Sequence, residues 1–82
     1  SSPDLETLQL ELRTASNELK LSTQQAERLR GLVQALAVPE RDYLEATAKY
    51  EQDKNAVQIA QSKLLSLGIK QAAIDDSMNR TN

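Results

Sequence analysis

The chain is predicted to be all-α, a two-stranded antiparallel coiled-coil helical hairpin. Four observations predict this. Two heptad-patterned runs are separated by one strong breaker, Pro39. Leu, Ala, Gln, Glu, Lys and Arg dominate, and all are good helix formers. Aromatic residues make up only 2% of the 82-residue chain, with no Trp and no Phe, so a compact globular core would be hard to build. Finally, the two apolar seams match when one run is folded back on the other.

Helix one is expected over residues 3–36. Ser2 can cap it, Pro3 suits the first helical position, and Asp4 and Glu6 favour the positive helix end. Its a positions are Leu5, Leu12, Leu19, Ala26 and Val33; its d positions are Leu8, Ala15, Ser22, Leu29 and Leu36. A tip turn over 37–39 follows, with the reversal near Ala37–Val38. Helix two is expected over 40–67, with a positions Tyr43, Tyr50, Val57 and Leu64 and d positions Ala46, Asp53, Ala60 and Leu67. Leu67-Gly68-Ile69 reads as a glycine-terminated helix end, with Ile69 reaching back toward Leu64. The return segment 68–82 is polar. Ala72, Ala73, Ile74 and Met78 offer it a short helix, with the remainder disordered.

Facing residues of an antiparallel pair have nearly constant position sums. The layers Val33–Tyr43, Leu29–Ala46, Ala26–Tyr50, Ser22–Asp53, Leu19–Val57, Ala15–Ala60, Leu12–Leu64 and Leu8–Leu67 each sum to 75 or 76, with Leu36 meeting the turn. The two polar interruptions, Ser22 and Asp53, fall in one layer. That layer reads either as a partly solvated device that sets register, or as a point where the rod bends or meets a partner. The same register sets Glu11 opposite Lys63 and offers Glu45–Lys49 as an i,i+4 pair. Leu21, Leu32 and Ile59 fall on one flank, Leu44 and Leu65 on the other, and Leu10 toward the back. These leucines are either scattered surface residues or lateral contacts to neighbouring rods.

The formal net charge is −2 and no Lys/Arg block stands out, which argues against a nucleic-acid or anionic-membrane surface. No apolar run approaches the roughly 20 residues of a membrane span, and no signal peptide is expected. His and Cys are absent, so the commonest general base, metal ligand and thiol chemistry are missing. No nucleophile–base or acid pair stands out. The expectation is a non-enzyme with no cofactor and no metal site.

Several stretches carry a resemblance. "SPDL" at Ser2–Leu5, "PERDYLEATAKYEQDKNAV" at Pro39–Val57 and "LLSLGI" at Leu64–Ile69 resemble the α-helical hairpin of periplasmic adaptors, or membrane fusion proteins. These adaptors serve tripartite efflux pumps and type I secretion systems of Gram-negative bacteria. "LLSLGI" is similar to the ending found in the heavy-metal branch of resistance-nodulation-division (RND) pump adaptors. Many such adaptors carry Arg, three residues, Leu, six residues, Ser at the tip. Arg28 and Leu32 fall on the first two positions, and Pro39 replaces the Ser. The resemblance implies a periplasmic hairpin that bridges an inner-membrane transporter and an outer-membrane channel for export of toxic compounds or metals. It implies docking on the channel through Arg28, Leu32 and the Pro39 position, and a ring of neighbouring protomers. It also implies lipoyl-like, β-barrel and membrane-proximal domains outside this segment, which would hold the transporter contact. Two other readings stand beside it. One is a generic coiled-coil spacer. The other is the coiled-coil arm of a cytosolic protein, such as a tRNA-binding arm. Three Arg against four acids between Glu27 and Glu45 disfavour the second of these.

Overall fold

The computed structural model of the chain describes residues 3–79. It contains α1 (Pro3–Gln34, 32 residues), α2 (Glu40–Ser66, 27 residues) and α3 (Gln71–Asn79, nine residues). The first two form an all-α helical hairpin, a rod with extents of 51 × 19 × 17 Å. The expected Ser2 cap and residues 80–82 of the return segment lie outside the described residues. Among those described, no helix is long and apolar enough to cross a membrane.

Pro3 stands at the first helical position, with Asp4 and Glu6 in the first turn. There the missing N–H costs nothing and negative charge meets the positive helix end. The seam closes as the position sums require. Leu12, Ala15, Leu29, Ala46, Val57, Ala60 and Leu64 are buried, and Leu19, Ala26, Val33, Tyr43 and Tyr50 are half-buried. Glu11 and Lys63 meet across the helices at 2.9 Å. The expected Glu45–Lys49 pair does not form. Lys49 turns instead to Asp53 and Glu18, and Glu45 faces Arg41 at 3.8 Å. A buried carboxylate competes better for the ammonium than one surrounded by water.

Both ends of the predicted seam are corrected. Helix α1 ends at Gln34, two residues short of the expected 36, so Leu36 lies in the turn and is 92% exposed. Helix α2 ends at Ser66, and Leu67 is its C-cap, also largely exposed. Leu8, expected opposite Leu67, packs against the buried cluster that includes Ile74 of α3. Gly68, with φ 87°, turns the chain; its N–H donates to the Leu65 carbonyl at 2.9 Å, and the Ile69 N–H donates to the Leu64 carbonyl at 3.2 Å. This double bond pattern is the helix end that Leu67-Gly68-Ile69 predicts. It redirects α3 across the open end of the hairpin. Ile74 is 1% exposed against Leu12, Ala15, Val57, Ala60 and Leu64, with Ile69 and Met78 packed at the edge. Burying one such side chain stabilises by about 1.5–3 kcal/mol, enough to hold a helix that is too short to persist alone.

Candidate docking tip and mid-rod layer

The tip is built from the last turn of α1. The Ala35 N–H donates to the Gly31 carbonyl (3.1 Å), Leu36 to Val33 (2.9 Å) and Ala37 to Leu32 (2.8 Å). Leu36 has φ 58°, the left-handed region. It is therefore the same kind of helix end as at Gly68, with a leucine in the glycine position. The turn runs over 35–39 and reverses at Leu36, one or two residues before the expected Ala37–Val38. Pro39 is the N-cap of α2, extended at φ −63° and ψ 144°, with no side-chain cap. Sequence reasoning allowed it as the first helical residue. Instead it precedes the helix, and its carbonyl accepts the Asp42 N–H at 3.1 Å.

Arg28 and Leu32 are one helical turn apart on the flank that also carries the Glu11–Lys63 pair. Arg28 is exposed, whereas Leu32 is half-buried beneath the turn. Arg28 lines a shallow groove with Gln25, Leu29, Val38, Asp42, Glu45 and Ala46. Pro39 follows Val38 and is exposed, so the three expected docking residues share one end of the rod. The tip arginines differ in their partners. Arg30 pairs with Glu27 at 2.9 Å and Arg41 faces Glu45 at 3.8 Å. The Arg28 Nε and Nη2 donate to the neutral Gln25 Oε1 at 3.2 and 3.0 Å. Among the described residues, Arg28 is thus the tip arginine whose hydrogen bonds leave its charge without an anion.

Midway along the rod, Ser22 and Asp53 are both buried, at 7% and 5% exposure. The layer is drier than the partly solvated one expected. Lys49 Nζ donates to Asp53 Oδ1 at 2.5 Å and lies 3.7 Å from Glu18. Asp53 Oδ2 has no hydrogen-bond partner. Ser22 and Thr23 both donate to the Leu19 carbonyl, at 3.2 and 2.7 Å. The Lys49 ammonium holds the Asp53 carboxyl below its ordinary 3.8, with burial opposing. Asp53 in turn raises Lys49.

A depressed carboxyl binds fewer protons folded than unfolded. Its contribution is therefore present above pH 3.8 and is lost as pH falls through the lower folded value. Lys49 contributes fully below its ordinary 10.5, and that contribution fades only as pH rises past its raised value. Urea midpoints are expected to drop below about pH 4 in the native chain, and to drop less in Asp53→Asn. Equal acid sensitivity in the two would remove Asp53 from this role.

Leu21, Leu44, Ile59 and Leu65 are exposed by 45–62%. The two flanks are inequivalent. At the base α3 occupies the flank of Gln61, whose Nε2 lies 3.1 Å from Met78 Sδ. The other flank keeps an open groove lined by Thr7, Leu10, Thr14, Ala15 and Ala56. Sequence reasoning missed Leu36 as a left-handed residue and Ile74 as a core residue. Ile74 and Met78, four apart and following the glycine stop, were the available signal for the second. The chain matches no family model, no curated protein and no solved structure.

Proposed function

We propose that the chain is the helical hairpin of a periplasmic adaptor, the element that spans from an inner-membrane transporter to an outer-membrane channel for export of toxic compounds or metals. The supporting observation is the tip. At the end of a 51 Å rod, Arg28 is exposed, stands off the seam and has no anionic hydrogen-bond partner. A guanidinium in that state is free to bind a partner carboxylate through charge-assisted hydrogen bonds. Leu32, one turn on, supplies apolar surface beside it. The rod supplies reach. Leu21 and Ile59 on one flank, with Leu44 and Leu65 on the other, supply lateral surface for neighbouring protomers. Ring assembly multiplies a weak contact at each tip.

The test is Arg28→Asp in the full-length parent, with Leu32→Asp beside it. Export-dependent resistance is expected to fall to the level of a deletion strain. The Arg28→Asp hairpin should keep its helical circular dichroism, because Arg28 is exposed, hydrogen-bonds only to Gln25 within its own helix, and exposed substitutions cost about 0.5 kcal/mol or less. Normal resistance in both variants would leave the spacer reading.

A further inference from the structure

We propose that Leu36 is the anchor of the tip, its side chain entering an apolar socket between helix ends of the docked partner. This rests on the reading of the tip as the docking end.

The chain carries its own comparison. Helices α1 and α2 end in the same double hydrogen-bonded turn, and each places one residue in the left-handed region. At the base that residue is Gly68, which adopts φ 87° without strain. At the tip it is Leu36, whose Cβ makes φ 58° costly. No packing offsets the cost, since Leu36 is 92% exposed. The fold therefore gains nothing from leucine here and would gain from glycine.

A second position at the same end behaves likewise. Gly31 sits inside α1, where glycine is unfavourable relative to alanine. A Cβ built on it meets nothing within 4 Å, so no packing inside the chain requires the glycine. Two departures from the most stable choice, five residues apart, lie at the end of the rod farthest from the Leu12–Ile74 core. Strain of this kind persists where a partner makes use of it. The bare backbone at Gly31 admits close approach, and Leu36 projects beyond it.

The shape selects the occupant. A single projecting leucine at the end of a rod no wider than 19 × 17 Å along its whole length calls for a concave socket. That end is far smaller than the roughly 800 Å² per partner of a stable interface, so the contact needs a buried apolar anchor inside a polar rim. Glu40, Arg41 and Asp42 in the first turn of α2, with Arg28 in the last turns of α1, supply the polar groups of this end. A different protein, with an apolar pocket among its helix ends and a carboxylate for Arg28, meets these requirements. A second copy would have to offer its base groove, which lies along the side of the rod rather than among helix ends.

The experiment compares Leu36→Gly, Leu36→Met and Arg28→Asp in the full-length parent, with the purified outer-membrane channel of its pump as the probe. Leu36→Gly is expected to raise the melting temperature of the hairpin by about 3 °C and to weaken docking about tenfold or more. Leu36→Met should dock like the parent. This segment has no cysteine, so Leu36→Cys, in a parent with any other cysteines replaced, gives one crosslinking site, expected to react with cysteines introduced at the channel's periplasmic end. Parental docking by Leu36→Gly, with docking lost in Arg28→Asp, would overturn the anchor and leave the docking function standing. Parental docking by both would overturn the docking function and the anchor with it. Self-association abolished by Leu36→Gly, with channel docking unchanged, would assign the anchor to a second copy and overturn the proposal.

Discussion

Leu12→Ala is expected to destabilise the chain by about 2–5 kcal/mol, a large share of the roughly 5–15 kcal/mol typical of a folded domain. Leu12 is 2% exposed and belongs to the cluster with Ala15, Val57, Ala60, Leu64 and Ile74. It stands where all three helices meet. Truncating it removes transfer energy and leaves a cavity that two rigid helices and a tethered third close poorly. The base should loosen first, with α3 detaching as its main anchor, Ile74, loses its seat. Leu21→Ala is the matched control. Leu21 is 62% exposed, and its truncation should change stability by about 0.5 kcal/mol or less. Urea unfolding followed by circular dichroism measures both. Similar midpoints for the two variants would contradict the packing described for the base.

Replacing the polar layer should act in the opposite direction. Ser22→Ala combined with Asp53→Leu is expected to stabilise the hairpin by about 1–4 kcal/mol. Asp53 holds a buried carboxylate with one oxygen unpartnered, and an unmade hydrogen bond in the interior is costly. Its ion pair with Lys49 offsets that cost only in part. The Lys49 side chain is 51% exposed, so it is not stranded when Asp53 is removed and keeps Glu18 and water. The layers on either side, Ala26–Tyr50 and Leu19–Val57, already present apolar surface to receive a leucine. The cost should appear in specificity. A continuous apolar seam fits other registers and other oligomers, which one polar layer excludes. Light scattering should then show a mixture of states for the double variant and one state for the parent. A lower urea midpoint for the double variant would mean that the Lys49–Asp53 pair contributes more than its desolvation costs.

Much of the rod is legible along the chain because a heptad is a local signal that also specifies a long-range contact. Leu12 and Leu64 are far apart in sequence, yet the seam on each helix and the single break at Pro39 leave one way to fold them together. Ser22 and Asp53 are legible for the same reason, since two interruptions in one layer tie the registers to each other. Arg28 and Leu32 are visible as residues the seam does not need. The Glu45–Lys49 pair was misread because sequence spacing offers Lys49 several acids, and only burial decides that Asp53 takes it.

The heptad pattern and its breakers thus determine that this is a hairpin, with its register, its polar layer and its base-end glycine stop. Those follow from backbone periodicity and from the narrow set of residues that end a helix. Three things were settled only in three dimensions. Helix α1 stops at Gln34 because the reversal needs a left-handed residue, and Leu36 takes that position although its side chain gives no sign of it. Ile74 closes the base because the Gly68 turn aims α3 across the open end, and a short polar segment shows its one buried residue only against the surface it covers. The Arg28 guanidinium hydrogen-bonds to Gln25, while Glu27 and Glu45 face Arg30 and Arg41. That outcome depends on where each side chain reaches, which spacing alone does not specify.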